Sequence, residues 1–367
     1  MTESGGGSDG RHIDPRLGIL EGAGADQRVR PAPGRRADDG FDVWADEASN
    51  ASRDRSYYER PVLKEPVWIW SVPAYFYAGG ICGAAAVLGA AAQTADGRGL
   101  RELVRRCRWL SAVGGGAGTV LLIIDLGRPE RFLAMLRVFR PTSPLNMGSW
   151  VLASATPLSS GAALLARASG RWGRLGDFAG LGAGVAGLPM SGYTAVLLSS
   201  TAVPVWQSAR RSLPMLFVAS AASSASALLQ LTDLDERSQR IVASFGRLAG
   251  IAELIAAIAV ERETGRVERV ARPLRRGLSG ALWKTSMVCG IAGLVVAAAP
   301  GRGRFKRVAS NVLTTAGALS LRFAVFHAGK ASTRDPHATF EMQRRGHGAA
   351  EVTGRGAITG PQGEPHA

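Results

Sequence analysis

Three charges sit deep in apolar sequence: Asp125 in LIIDLGRPERF, Glu253 in GIAELIAAIAV and Arg322 in ALSLRFAVF. A charge surrounded by hydrocarbon is costly, so it is expected to pair, to carry protons or to line a polar path. Glu253 and Arg322 fall about 13 and about 14 residues into their apolar segments, counted from the same side, which is nearly one depth at a rise of about 1.5 Å per residue. Three readings follow for them: an ion pair that locks two helices, part of a proton path, or no contact between the two. Phenolic hydroxyls occur in similar surroundings at Tyr75, Tyr77 and Tyr193. Asn146 and Ser149 open another apolar stretch, where they suit either helix capping or polar contact with a ligand. Arg128 and Arg131 follow Asp125 on a polar rim, placed for a local turn or for a partner chain.

The missing residue types narrow the chemistry further. Haem in a membrane bundle takes axial histidines. Of the five histidines, His12, His327, His337, His347 and His366, only His327 touches an apolar segment, and it stands at the end of it. Cys82, Cys107 and Cys289 lack the CxxC spacing of an iron–sulfur or zinc site. The expectation is a chain with no haem, no iron–sulfur cluster and no other redox centre of its own.

These residues need elements to hold them. A helix that crosses a bilayer takes about 20 mainly apolar residues. Eight such spans are expected, at roughly 67–93, 108–126, 146–166, 176–203, 212–232, 240–260, 280–299 and 308–328. Many are rich in Ala, Gly and Ser, which suits close helix packing. Gly79/Gly83, Gly114/Gly118 and Gly180/Gly184 have the small-xxx-small spacing. The fold class expected is an all-α integral membrane protein, a bundle of about eight transmembrane helices with disordered polar tails. The division expected is a disordered tail over 1–56, a membrane domain over 57–328 and a flexible tail over 329–367. Trp68, Trp70 and Trp206 are placed where an interfacial aromatic belt is expected.

The net charge of +15 falls in short clusters between the spans, such as Arg98 to Arg108 and Arg302 to Arg307. That pattern anchors loops at lipid head groups and argues against nucleic acid as a partner. The sequence reads as a multi-pass protein of the cell membrane. An even number of spans places both termini on one side, and a narrow Lys/Arg excess puts that side in the cytoplasm.

Three segments occur in order: IIDLGRPERF (123–132), SPLNMGSW (143–150) and GLPMSGYTAVLLSSTAVPVW (187–206). With them the chain resembles the NrfD/PsrC family, over residues 57–328. Those are the membrane subunits of polysulfide reductase, formate-linked nitrite reductase and related molybdopterin oxidoreductases. The resemblance implies a membrane anchor that exchanges electrons with a quinone, menaquinone in the first instance, as exchangeable substrate. It implies two partners, a ferredoxin-like iron–sulfur subunit and a molybdopterin catalytic subunit. It also implies that a Tyr of the fourth span, here Tyr193, belongs to the quinone site.

On that implication Asp125, Tyr75, Tyr77, Asn146 and Ser149 join Tyr193, because the span order brings all of them to the side of the termini. Family members with His or Asn early in the first span differ from this chain, which has Pro73, Tyr75 and Tyr77 there. Two other classes stay open. A passive anchor would bind no quinone. A transporter would show internal repeats, and DLGRPE and SGYT have no counterparts elsewhere in the chain.

Overall fold

The structure is a computed structural model that describes residues 63–301 and 303–344, with two short strand segments nearer the N-terminus. The chain divides into two units, 1–57 and 58–367. In the first, β1 (His12–Ile13) pairs antiparallel with β2 (Leu20–Glu21). The expected disordered tail over 1–56 otherwise lies outside the described residues.

The second unit is helical. Its long helices are α1 (Ser71–Asp96), α2 (Arg101–Leu126), α4 (Pro144–Leu164), α5 (Gly170–Ser199), α7 (Ser212–Gln230), α8 (Glu236–Gly265), α10 (Gly277–Ala298) and α11 (Arg304–Thr333). They match the eight expected spans one for one. Seven are long and apolar enough to cross a membrane. The eighth, α4, carries Ser149, Ser154, Thr156, Pro157, Ser159 and Ser160 within its 21 residues, which lowers its hydropathy. Between the long helices lie α3 (Pro129–Met135), α6 (Pro204–Ser208) and α9 (Glu268–Arg275), and α12 (Pro336–Arg344) follows α11.

Successive long helices run antiparallel. The end where α1 begins and α11 finishes is termed proximal here, and the other end distal. Contacts at both ends fix the alternation. Proximally, Ile69 N donates to Asp125 Oδ1 (3.2 Å), and Ser212 Oγ at the start of α7 donates to Glu263 near the end of α8 (2.7 Å). Distally, Arg237 at the start of α8 pairs with Asp96 at the end of α1 (2.7 Å).

Small residues set the helix spacing. A Cβ on Gly83 of α1 would lie 2.6 Å from the Gly187 carbonyl of α5, and one on Gly114 of α2 would lie 2.9 Å from the Ala78 carbonyl of α1. Backbones approach there as closely as Gly permits, which compensates for the weak hydrophobic drive between helices in lipid. Polar contacts add direction: the buried Arg108 of α2 bridges Gln93 of α1 (2.9 Å) and the exposed Asp177 of α5 (2.7 Å). Apolar side chains such as Val113, Phe178, Ile255 and Val295 face outward, as lipid contact requires.

The C-terminal boundary departs from expectation. Residues 329–344 are not a flexible tail: α11 continues to Thr333 and α12 follows. Lys330 Nζ donates to the Trp68 carbonyl (3.0 Å) and lies over the Phe326 ring, while Ala338 is buried. The segment stays ordered because its small and amphipathic residues clasp the chain leading into α1. Residues 345–367 lie outside the described residues.

Trp206 is a second departure. It is fully buried rather than interfacial, its indole N–H donates to the Val325 carbonyl (2.8 Å), and its ring stacks on Trp68 (6.1 Å) and rests on Gly329.

Candidate functional site

At the proximal end α2 terminates at Gly127, whose φ of 70° an L side chain adopts poorly. The chain reverses into Arg128 and α3, which leaves Asp125 at the last turn of α2. Its Oδ1 accepts from Ile69 N just ahead of α1, and Oδ2 has no partner among the described residues. The carboxylate therefore ties the α2 end to the α1 start and keeps one oxygen available. Pro73 sits in the first turn of α1, where no N–H is needed, so it starts the helix without kinking it.

Four helices converge here. Tyr75 is four residues into α1, about 6 Å along the axis, and is buried against Gly118 of α2. Tyr193 is six residues before the end of α5, about 9 Å inside, and its ring lies on Gly148 of α4, which leaves no room for a larger residue. Neither hydroxyl hydrogen-bonds to a described residue. Pro189 inside α5 removes one backbone donor a turn before Tyr193. Trp68, Leu122, Phe132, Val151 and Met190 complete the apolar surround.

Two expected members are occupied with local structure. Asn146 gives its amide N–H groups to the Met135 and Val138 carbonyls (2.9 and 2.8 Å) and accepts from Arg140 N (2.6 Å), so it clamps the turn before α4. Ser149 is buried and donates to the Leu145 carbonyl one turn back (3.1 Å). Arg131 donates to the Leu126 carbonyl (3.2 Å), and Arg128 is exposed beside it.

Tyr77 turns away. Two residues after Tyr75, it faces the opposite side of α1 and joins a second polar group in the bundle interior. There its buried hydroxyl, with no hydrogen-bond partner, lies near Ser224 of α7, Glu253 of α8, and Thr315 and Arg322 of α11. Glu253 accepts from Ser223 Oγ (2.6 Å). Arg322 is 1% exposed, donates to the Phe217 carbonyl (2.9 Å) and stands 3.8 Å above the Phe217 ring. Glu253 and Arg322 thus belong to one interior polar cluster without a hydrogen bond between them.

The proximal clasp has its own electrostatics. Glu65 accepts from Arg334 (2.9 Å) and lies 3.6 Å from Lys330. The hydrogen-bonded Arg334 guanidinium holds the Glu65 carboxyl below its ordinary value, with Lys330 acting the same way.

The family model described as polysulphide reductase, NrfD matches residues 61–333, which include the whole bundle and both polar groups. The chain belongs to the NrfD family. As a family member it is a multi-pass membrane subunit of an oxidoreductase and works with other subunits of that enzyme. No curated protein matches the sequence. The matched range ends where α11 ends, five residues beyond the expected limit of the membrane domain.

Sequence reasoning placed the proximal residues at one depth but missed the extent of the interior group. Ser223, Ser226 and Gln230 recur on one face of α7, and Arg307, Asn311 and Thr314 on one face of α11. Those polar stripes at helical spacing were the available signal.

Proposed function

We propose that this NrfD subunit binds a membrane quinone at the proximal end and exchanges electrons between the quinone pool and an iron–sulfur partner, which connects to a molybdopterin catalytic subunit. The observation that supports this reading is that Tyr193, Tyr75 and Asp125 all belong to the proximal part of three packed helices, with two phenolic hydroxyls and one carboxylate oxygen left unpaired. A quinone gains two electrons and two protons on becoming a quinol, so its carbonyls call for donors and a proton source. Tyr193 and Tyr75 supply the donors, and Asp125 relays protons to the nearby surface. Asn146 and Ser149 shape the α4 wall of the same site. Arg128 and Arg131, exposed beside it, face the partner. The apolar surround suits the quinone ring and the start of its isoprenoid tail and excludes water.

The test is quenching by a menaquinone analogue of the purified subunit in lipid. Wild type binds saturably, and Tyr193→Phe or Asp125→Asn weakens binding at least tenfold, about 1.4 kcal/mol. Absence of saturable binding by wild type favours a passive anchor instead.

A further inference from the structure

A cavity of about 770 Å³ opens at the distal end between α7, α8, α10 and α11. Its mouth carries Arg240, Lys306 and Arg307, with Glu236 as the one acid in the lining, and Arg247 lines it deeper, 11 residues into α8. It narrows inward past Asn311 to Ser223 and Thr314. Asn311 is 4% exposed and its amide nitrogen has no hydrogen-bond partner, although it lines the cavity. Ser223 lies at the bottom and donates to Glu253. A second cavity of about 20 Å³ touches Glu253 and shares Gly246, Leu294 and Thr314 with the first. That is room for one water.

Beyond Glu253 the polar surfaces continue. Tyr77 Oη, Ser220 Oγ, Thr315 Oγ1, and Nε and Nη1 of Arg322 are all buried without a hydrogen-bond partner. Tyr77 lies close enough to Thr315 and Ser224, and Ser220 to Glu253, to interact with them, so the two Arg322 nitrogens are the atoms that call most for water, because a buried donor left bare costs about 1–3 kcal/mol. The polar path then stops. Phe217, Leu216, Val325 and Trp206 are each at most 2% exposed and pack on the proximal side of this cluster.

We propose that the distal cavity is a water-filled half-channel through which Glu253 exchanges protons with the aqueous phase on the distal side only. The step is a simple transfer: hydronium gives a proton to the Glu253 carboxylate, leaving the carboxylic acid and water, and the reverse returns it. The groups facing Glu253 are Ser220 and Ser223 from α7, Arg322 from α11 and Tyr77 from α1. From α10, the small cavity at Glu253 is lined by Ser286, Met287, Gly290 and Leu294, none of them ionisable. The cations around the cavity lower the local concentration of protons as well as of metal cations, and Glu236 is the one acid in the lining that offsets them. The inference stands on the cavity and its unpaired groups and does not depend on quinone binding.

Two readouts on full-length protein in liposomes test it. In a background with Cys82, Cys107 and Cys289 replaced by Ala, single variants Arg307→Cys, Asn311→Cys and Thr314→Cys are exposed to a membrane-impermeant charged thiosulfonate from each side. The expected result is modification of all three from the distal side alone. Infrared spectra then follow the Glu253 carboxyl band, identified by its loss in Glu253→Gln, after transfer to D₂O. Exchange within the mixing time is expected. Failure to modify Asn311→Cys and Thr314→Cys while Arg307→Cys reacts overturns the channel, and so does modification from both sides. Normal modification with a carboxyl band that does not exchange overturns the proton role and leaves a polar recess.

Discussion

The two ends of this bundle are built in opposite ways from similar helices. At the proximal end large apolar side chains close the interior, and polar groups sit at helix ends near the surface. Trp206, Phe217 and Val325 fill the space, while Asp125 and Tyr193 lie within about 10 Å of where their helices stop. At the distal end the interior is open, and Ser, Asn and Thr carry polarity inward to Glu253 near mid-helix. One arrangement suits a flat apolar ligand with a polar head. The other suits water. On the two proposals made above, a site at each end would let one subunit handle a lipid-soluble substrate and protons without a continuous leak between them.

The largest effect is expected from breaking the seal. Trp206→Ala removes a fully buried indole stacked on Trp68 and should cost about 3–5 kcal/mol, read as a lowered thermal midpoint in detergent or lipid. A cost below about 1 kcal/mol would show that the proximal interior is not the closed layer described. Next comes the functional contrast between ends. Tyr193→Phe should weaken binding of a menaquinone analogue at least tenfold, about 1.4 kcal/mol, whereas Asn311→Ala at the distal end should leave it within about twofold, below about 0.5 kcal/mol. Equal effects would erase the distinction.

A smaller change is expected at the turn before α4. Asn146→Ala loses three hydrogen bonds to partly hydrated backbone and should cost about 1 kcal/mol. Hydrogen exchange should quicken over residues 135–140 and remain unchanged in α7 and α11. Protection lost throughout would mean that Asn146 supports more than this turn.

The smallest effect concerns the Glu65 clasp. Its folded carboxyl lies below the ordinary value, so its contribution is complete at neutral pH and disappears as acidification carries the pH through the depressed value. The partners are substantially exposed, so solvent screening limits this to about 0.5 kcal/mol. Trp68 fluorescence should show an acid transition that Glu65→Gln abolishes, and a transition that survives the substitution would assign it to another group.

Much of the fold was legible in the sequence because bilayer thickness imposes a long apolar run on each crossing helix. Even α4, polar as it is, kept enough Ala and Leu to be placed. Alternation of the eight spans was enough to bring Asp125, Tyr75 and Tyr193 to one end. What the spans did not convey was rotation about each helix axis. Tyr75 and Tyr77 are two residues apart and therefore face different neighbours, one Gly118 and the other the Arg322 pocket. Trp206 looked interfacial because depth alone gives no sign of Gly329, the glycine 123 positions later against which its ring lies. Asn146 looked available for a ligand because its partners are backbone atoms of a turn. The distal cavity was hidden because its lining comes from four helices, each contributing a few polar residues that singly read as helix decoration.

The most direct test of the central claim is covalent mapping with a photoreactive menaquinone analogue on the intact subunit in lipid. Labelled peptides are expected to cover residues 69–76, 122–128 and 190–197, with labelling competed by unmodified menaquinone and reduced in Tyr193→Phe. Saturable labelling confined to residues 240–253 or 307–315 would move the quinone to the distal cavity and contradict the account.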